Sequence, residues 1–162
     1  MNNRIGIDAG GSLIKIAYEE NGRLHFRKQP IEEIDEVLGW LKIVSTNKRI
    51  FLTGGRAGKI KAEFFPKAGI IDEFTAACEG ATYLMMKEGM PNGGKSLLIN
   101  IGTGISWIKI DGERYDRVLG SGIGGGTFMG MGKLLADSSD FASLVGLSAS
   151  GQRGNVDLLV KD

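Results

Sequence analysis

The sequence predicts an α/β protein built of two similar lobes with mixed sheets, the second lobe incomplete. Three observations predict it. Short strand patterns alternate with stretches of helical periodicity. One supersecondary unit occurs twice, as strand, glycine turn, strand, two-residue hairpin and strand. Finally, 26 of the 162 residues are glycine, about 16% against a typical ~7%, and they gather in clusters where strands end.

The elements follow in order. Arg4–Asp8 reads as a buried strand, Ala9-Gly10-Gly11-Ser12 as a tight turn and Leu13–Glu19 as a second strand. Asn21-Gly22 is a type I′ hairpin signal leading into a third strand, Arg23–Lys28. Pro30 opens a helix over Glu32–Ser45, whose apolar Ile34, Val37, Leu38, Leu41 and Val44 recur at three- and four-residue steps. Arg49–Thr53 is a short strand ending in Gly54-Gly55, and a helix over Asp72–Glu88 stops at Gly89. Ser96–Ile101, Ile105–Ile110 and Glu113–Leu119 are three more strands, joined by Gly102-Thr103-Gly104 and the hairpin signal Asp111-Gly112. A glycine block then runs into a helix over Phe128–Ala136.

The repeat sets Ile7-Asp8-Ala9-Gly10-Gly11-Ser12 against Ile99-Asn100-Ile101-Gly102-Thr103-Gly104. Pro, Asn and Gly accumulate at Met90–Lys95, which places the lobes at 1–93 and 94–162. The second lobe then has about 70 residues against about 90 in the first, so the chain is expected to stop within it.

Composition excludes several function classes. With 20 Lys+Arg against 19 Asp+Glu the net charge is +1, which argues against a basic nucleic-acid binder. Hydrophobic residues at 42% and charged residues at 24% fit a folded globular chain. One cysteine, Cys78, rules out an intramolecular disulfide and a multi-thiolate metal site. One histidine, His25, leaves no His-His metal motif and places any histidine dyad on a hairpin-like stretch. No apolar run approaches the ~18 residues of a membrane span, and Met1-Asn2-Asn3-Arg4 leads straight into a strand, so a cytoplasmic location without membrane partners is expected.

Two nucleotide motifs match in letters and fail in context. Gly89–Ser96 fits the P-loop pattern, but a helix precedes it and a strand follows, the reverse of what a helix-terminal phosphate cradle requires. Gly120–Gly125 fits a dinucleotide fingerprint, with Asp140 twenty residues on, yet its strand is the third of a meander. The two repeated turns are better phosphate candidates. Gly10-Gly11-Ser12 lets backbone N–H groups approach an anion, Ser12 adds a hydroxyl, Lys15 a positive charge, and Asp8 a carboxylate for Mg²⁺. Gly102-Thr103-Gly104 offers a matching cradle; either turn taken alone also reads as a plain hairpin. The block Gly120–Gly132 holds seven glycines in thirteen residues and would set bare backbone and a helix start beside a nucleotide. In Asp72-Glu73 one carboxylate can cap a helix while the other faces a cleft as a general base, or the pair serves the helix start alone. Arg117 is the candidate clamp for an acidic acceptor, or a solvated hairpin arginine.

Together, Ile7–Lys15, Leu52-Thr53-Gly54-Gly55, Glu73-Phe74-Thr75-Ala76-Ala77, Asn100–Gly104 and Gly124-Gly125-Gly126 resemble a type II pantothenate kinase. That family lies in the acetate kinase, sugar kinase, Hsp70 and actin superfamily, so the resemblance implies duplicated actin-like, ribonuclease-H-like lobes. It implies ATP- and Mg²⁺-dependent phosphorylation of pantothenate, the first step of coenzyme A synthesis, by a homodimer. In this numbering it assigns ATP contacts to Asp8, Ala9, Gly10, Gly11, Ser12, Leu13, Ile14 and Lys15, with Asp8 near the metal. Further ATP contacts fall on Thr103, Gly125, Gly126, Thr127, Phe128, Met129 and Phe141. Glu73 matches the catalytic base and Arg117 the acceptor-binding arginine. Ser12 stands where threonine is commoner, and Phe141 where tyrosine is common. Members of the family are longer, so a chain truncated at its C-terminus, without the usual dimer surface, is expected. A sugar kinase of the same superfamily and a non-catalytic nucleotide-binding remnant are the alternatives.

Overall fold

The computed structural model describes residues 4–90 and 94–155. Thirteen strands and helices follow in order. They are β1 (Arg4–Ala9), β2 (Leu13–Glu20), β3 (Arg23–Pro30), α1 (Ile34–Val44), β4 (Arg49–Thr53), α2 (Ala57–Glu63) and β5 (Gly69–Ile70). Then come α3 (Glu73–Lys87), β6 (Lys95–Ile101), β7 (Ile105–Asp111), β8 (Arg114–Ser121), α4 (Gly125–Ala136) and α5 (Phe141–Ser150).

The first sheet is mixed, in the order β3-β2-β1-β4-β5. β1, β2 and β3 form an antiparallel meander, while β4 and β5 lie parallel to β1. A mixed sheet with strands and helices alternating agrees with the α/β fold class expected from the sequence. The turn residues explain its start. Asn21 and Gly22 both have positive φ (53° and 73°), as a type I′ hairpin requires. In the second hairpin Gly112 alone takes positive φ, so Asp111 remains in the strand.

Alternation decides which face is the core. Ile5, Ile7, Ala9, Ile14, Ile16 and Leu52 point to one side and are buried with Val37, Leu38 and Leu41 of α1 and Ala57 and Ile60 of α2. Asp8, the residue between Ile7 and Ala9, therefore stands on the opposite face. α1 begins at Ile34, after a single 3₁₀ turn over Ile31–Glu33, rather than at Glu32.

The second sheet is the three-stranded meander β6-β7-β8. Ile108 and Ile110 of β7 pack with Cys78 of α3, flanked by Phe74, Leu98 and Tyr115. The compact units are Met1–Leu98 with Ile108–Val118, and Ile99–Trp107 with Leu119–Asp162. In the latter, α4 starts at Gly125 rather than Phe128, and the unexpected α5 follows it. Part of the proposed interlobe turn (residues 91–93), and 156–162 at the chain end, lie outside the described residues. Among the described residues no helix is long and apolar enough to cross a membrane.

Candidate functional site

In the first unit the sheet register assembles a polar group at the ends of three strands. Asp8 lies opposite Lys15 across the antiparallel ladder and opposite Thr53 across the parallel one. The Lys15 ammonium donates to the Asp8 carboxylate at 2.8 Å, in a half-exposed ion pair. The Thr53 hydroxyl is buried and has no partner among the described residues. All three line a cavity of about 530 Å³, whose remaining wall includes Phe26, Lys28, Phe51, Ile71 and Ala76. The turn between β1 and β2 is closed by a bond from the Gly10 N–H to the Leu13 carbonyl (3.1 Å), and the Ser12 carbonyl accepts from the Ile31 N–H (3.0 Å). Gly11 and Ser12 remain exposed at its tip, where Ala9 and Ile14 beneath them are core residues.

Thr53 and Gly54 are functional candidates that sequence reasoning did not single out for a role. Gly54 has φ of +88°, and a Cβ there would lie 2.5 Å from the Ala9 carbonyl oxygen and 2.7 Å from Asp8 Oδ1. The Arg56 N–H also donates to the Ala9 carbonyl at 3.2 Å. The loop after β4 thus seats directly on the Asp8–Ala9 strand end, and only glycine fits the approach. The double glycine after β4 was the visible signal; its neighbour became visible only through parallel pairing.

The helix α3 shows which of Asp72 and Glu73 caps it. Asp72 is the N-cap: its carboxylate accepts from the Thr75 N–H (3.0 Å) and hydroxyl (3.1 Å). The Thr75 N–H holds its pKa below the usual carboxylate value, against a smaller opposing effect of burial. Glu73, the first helical residue, is exposed, and its carboxylate has no partner among the described residues. The Arg117 guanidinium lies over the ring of Phe74, 5.0 Å from its centre. Candidate base and candidate acceptor clamp are therefore held by adjacent positions of one helix turn. Ile71 and Ala76, on either side of Asp72–Thr75, open onto the same cavity as Asp8.

The neighbouring titratable groups have structural roles. Burial, then the charges of Glu79 and Asp72, push the Cys78 thiol up, which keeps it a protonated core residue. The Tyr115 hydroxyl donates to Glu79 at 2.8 Å, and that bond raises its pKa. His25 stacks on Tyr18, its cross-strand partner, with ring centres 5.3 Å apart.

In the second unit the other predicted residues meet. The Gly125 N–H donates to the Gly102 carbonyl (2.8 Å) and the Gly126 N–H to the Thr103 carbonyl (2.9 Å). A Cβ on Gly124 would come within 2.8 Å of the Gly104 backbone, and one on Gly126 within 2.7 Å of Thr103 Cγ2. The three glycines therefore let α4 start against the 102–104 turn, and two of its leading amides are engaged there rather than free for an anion. The Thr127 hydroxyl donates to the Gly122 carbonyl. Phe128 and Phe141 meet edge to face, with centres 5.8 Å apart. Met129 is half-buried in α4. Asp140 caps α5 by accepting from the Ser143 N–H at 2.7 Å.

The Fumble family model matches residues 95–162. Relatives match nearly the whole chain. The type II pantothenate kinase of Oceanobacillus iheyensis is 40% identical over 159 residues, covering 98% of this chain and 59% of that protein. That of Bacillus cereus strain AH820 is 39% identical over 165 residues, covering 100% and 59%. That of Staphylococcus aureus strain USA300 is 37% identical over 158 residues, covering 98% and 58%. Among solved structures, the type II variant of the Aquifex aeolicus Ppx/GppA phosphatase aligns with a TM-score of 0.49 at 17% identity, over 79% of this chain and 54% of that one. The chain spans about three-fifths of the length of the curated relatives it matches. Along its whole described length, then, this chain is a homologue of proteins named type II pantothenate kinase.

Proposed function

We propose that the chain carries the phosphate-gripping and proton-abstracting residues of an ATP-dependent pantothenate kinase. The observation that supports it most is the 37–40% identity, along the whole chain, to relatives of that name. The reaction would convert pantothenate to 4′-phosphopantothenate in the cytoplasm.

In this reading Glu73 removes the proton from the pantothenate hydroxyl as its oxygen attacks the γ-phosphorus. The bond to the β,γ-bridging oxygen breaks, and ADP leaves with that electron pair. An exposed carboxylate at the start of α3, beside an Asp72 already engaged as cap, suits that task. Arg117, held flat on Phe74, would meet the pantothenate carboxylate. Lys15 and the turn through Gly10, Gly11 and Ser12 would take phosphate oxygens. The donor set at Asp8, one carboxylate with the Thr53 hydroxyl alongside, fits Mg²⁺, which commonly keeps waters and substrate phosphates around one or two carboxylates. When bound, the ion would neutralise charge developing on the phosphoryl group. Thr103 and residues Gly125, Gly126, Thr127, Phe128 and Met129, with Phe141, would serve the nucleotide in the second unit.

A coupled ADP-release assay with pantothenate, and with a panel of sugars, tests the substrate. Glu73→Gln should lower turnover roughly 100-fold or more while ATP-analogue binding stays nearly intact. An unchanged rate removes Glu73 from the role of base. The second reading is a non-catalytic nucleotide-binding protein. Binding without turnover on any acceptor would establish it.

A further inference from the structure

Arg117 is exposed, and no carboxylate pairs with it among the described residues. Its guanidinium rests on the Phe74 ring, a contact that is weak at an exposed position. The elements beneath must therefore supply the aim. Alternation in β8 sorts the neighbours of Arg117. Arg114 and Asp116 stand on one face and pair with each other at 2.9 Å, while Tyr115 and Arg117 stand on the other. Tyr115 is half-buried against the cluster of Cys78, Ile108 and Ile110, and its hydroxyl donates to Glu79 Oε1 of α3 at 2.8 Å. β8 meets α3 twice, with Tyr115 at Glu79 and Arg117 at Phe74. Two residues of strand advance about 6.7 Å, and five residues of helix rise about 7.5 Å. The spacings nearly match, so both contacts close together. All of these residues belong to one compact unit.

We propose that Tyr115 and Glu79 are positioning residues for the acceptor: their hydrogen bond pins α3 on β8 so that the Arg117 guanidinium stays on Phe74, beside Glu73. This rests on the reading of Arg117 as the group that meets the pantothenate carboxylate. Glu73 and Phe74 are consecutive in α3, so a slide or roll of the helix carries both away from Arg117 together. The apolar packing of Cys78 on Ile108 and Ile110 resists small slides poorly, because it has no direction. A hydrogen bond between two defined atoms does resist them. A displacement of about 1 Å between base and acceptor clamp is enough to matter for a reaction that depends on alignment.

The test follows the Arg117 side-chain signals by NMR alongside pantothenate and ATP-analogue binding. The Phe74 ring current should shift those signals upfield in the unsubstituted chain, and Phe74→Leu should remove the shift. Tyr115→Phe and Glu79→Ala should each move them toward the unshifted position and weaken pantothenate binding roughly three- to tenfold, with ATP-analogue binding unchanged. Glu79→Gln, whose amide oxygen still accepts from the Tyr115 hydroxyl, should preserve both readouts. The double variant Tyr115→Phe, Glu79→Ala should lose no more than either single one. Glu79 is exposed on α3, so Glu79→Ala carries the test if Tyr115→Phe does not fold. Arg117 signals unmoved in both variants overturn the proposal, as do losses that simply add. An equal loss of ATP-analogue binding also overturns it, since that marks a general loosening. Signals that move as expected in a chain that binds no pantothenate support the positioning and count against the acceptor reading of Arg117 alone.

Discussion

The β1–β3 meander and the β6–β8 meander are copies of one design in different surroundings. In the first, two parallel strands and two helices complete the sheet, and the alternate apolar residues of β1 vanish into a core. In the second, a three-stranded sheet packs one face on α3 through Ile108 and Ile110 and leaves the β6 row open. Identical alternation thus gives a core residue in one place and a surface residue in the other. The pattern encodes which way a side chain points; what it meets there is decided by elements elsewhere in the chain.

Paired truncations should break or support that contrast most sharply. Ile7→Ala is expected to cost about 2–5 kcal/mol, the range for a fully buried aliphatic side chain, whereas Ile99→Ala should cost less than about 1 kcal/mol. Equal losses in urea denaturation would mean that the two rows are equally buried in solution. Next in size is Gly54→Ala, which has no counterpart in the second meander. Positive φ and collision with the Ala9 carbonyl and Asp8 carboxylate predict a loss of about 1–3 kcal/mol, seen as a lowered Tm.

A smaller effect compares one helix cap in each unit. Asp72→Ala should cost about 1 kcal/mol at neutral pH; Asp140→Ala should shift stability in the same direction. Both carboxyls are held below their ordinary value, Asp72 chiefly by the Thr75 N–H and Asp140 by the Ser143 hydroxyl and N–H. A depressed folded-state pKa gives stability that is present above the unfolded value of about 3.9 and lost as pH falls through the folded value. Wild type and either variant should therefore converge in stability as denaturation is repeated in increasing acid. Smallest of all, Lys133→Ala removes an exposed pair with Asp137 four residues on, and Tm should change negligibly.

Much of this fold was legible from local chemistry. Asn21-Gly22, the Ile34–Leu41 periodicity and the Asp72 cap each carry their own geometric instruction. The elements that sequence reasoning passed over depend on distant partners. α2 is seven residues long and carries Gly58, and its two buried residues, Ala57 and Ile60, gain from a sheet that only tertiary structure supplies. α5 carries three serines and a glycine in ten residues, buries Leu144 alone, and announced itself only through Asp140 three residues before Ser143. The start of α4 on three glycines contradicts propensity and is held by the carbonyls of Gly102 and Thr103. At the candidate site, Asp8, Lys15 and Glu73 were readable as chemistry-bearing types. Thr53 was not, because its relation to Asp8 exists only across a parallel ladder.

The bond between Asp8 and Lys15 has a consequence for what the first turn can accept. The pair begins electrically balanced. An anion arriving by itself competes with the aspartate for the lysine, and a cation arriving by itself competes with the lysine for the aspartate, each at a modest cost for so exposed a pair. A cation and anion that enter together satisfy both halves at once. Under the proposed reading, such a turn would act as a coincidence detector, favouring a metal-escorted phosphate over either component alone.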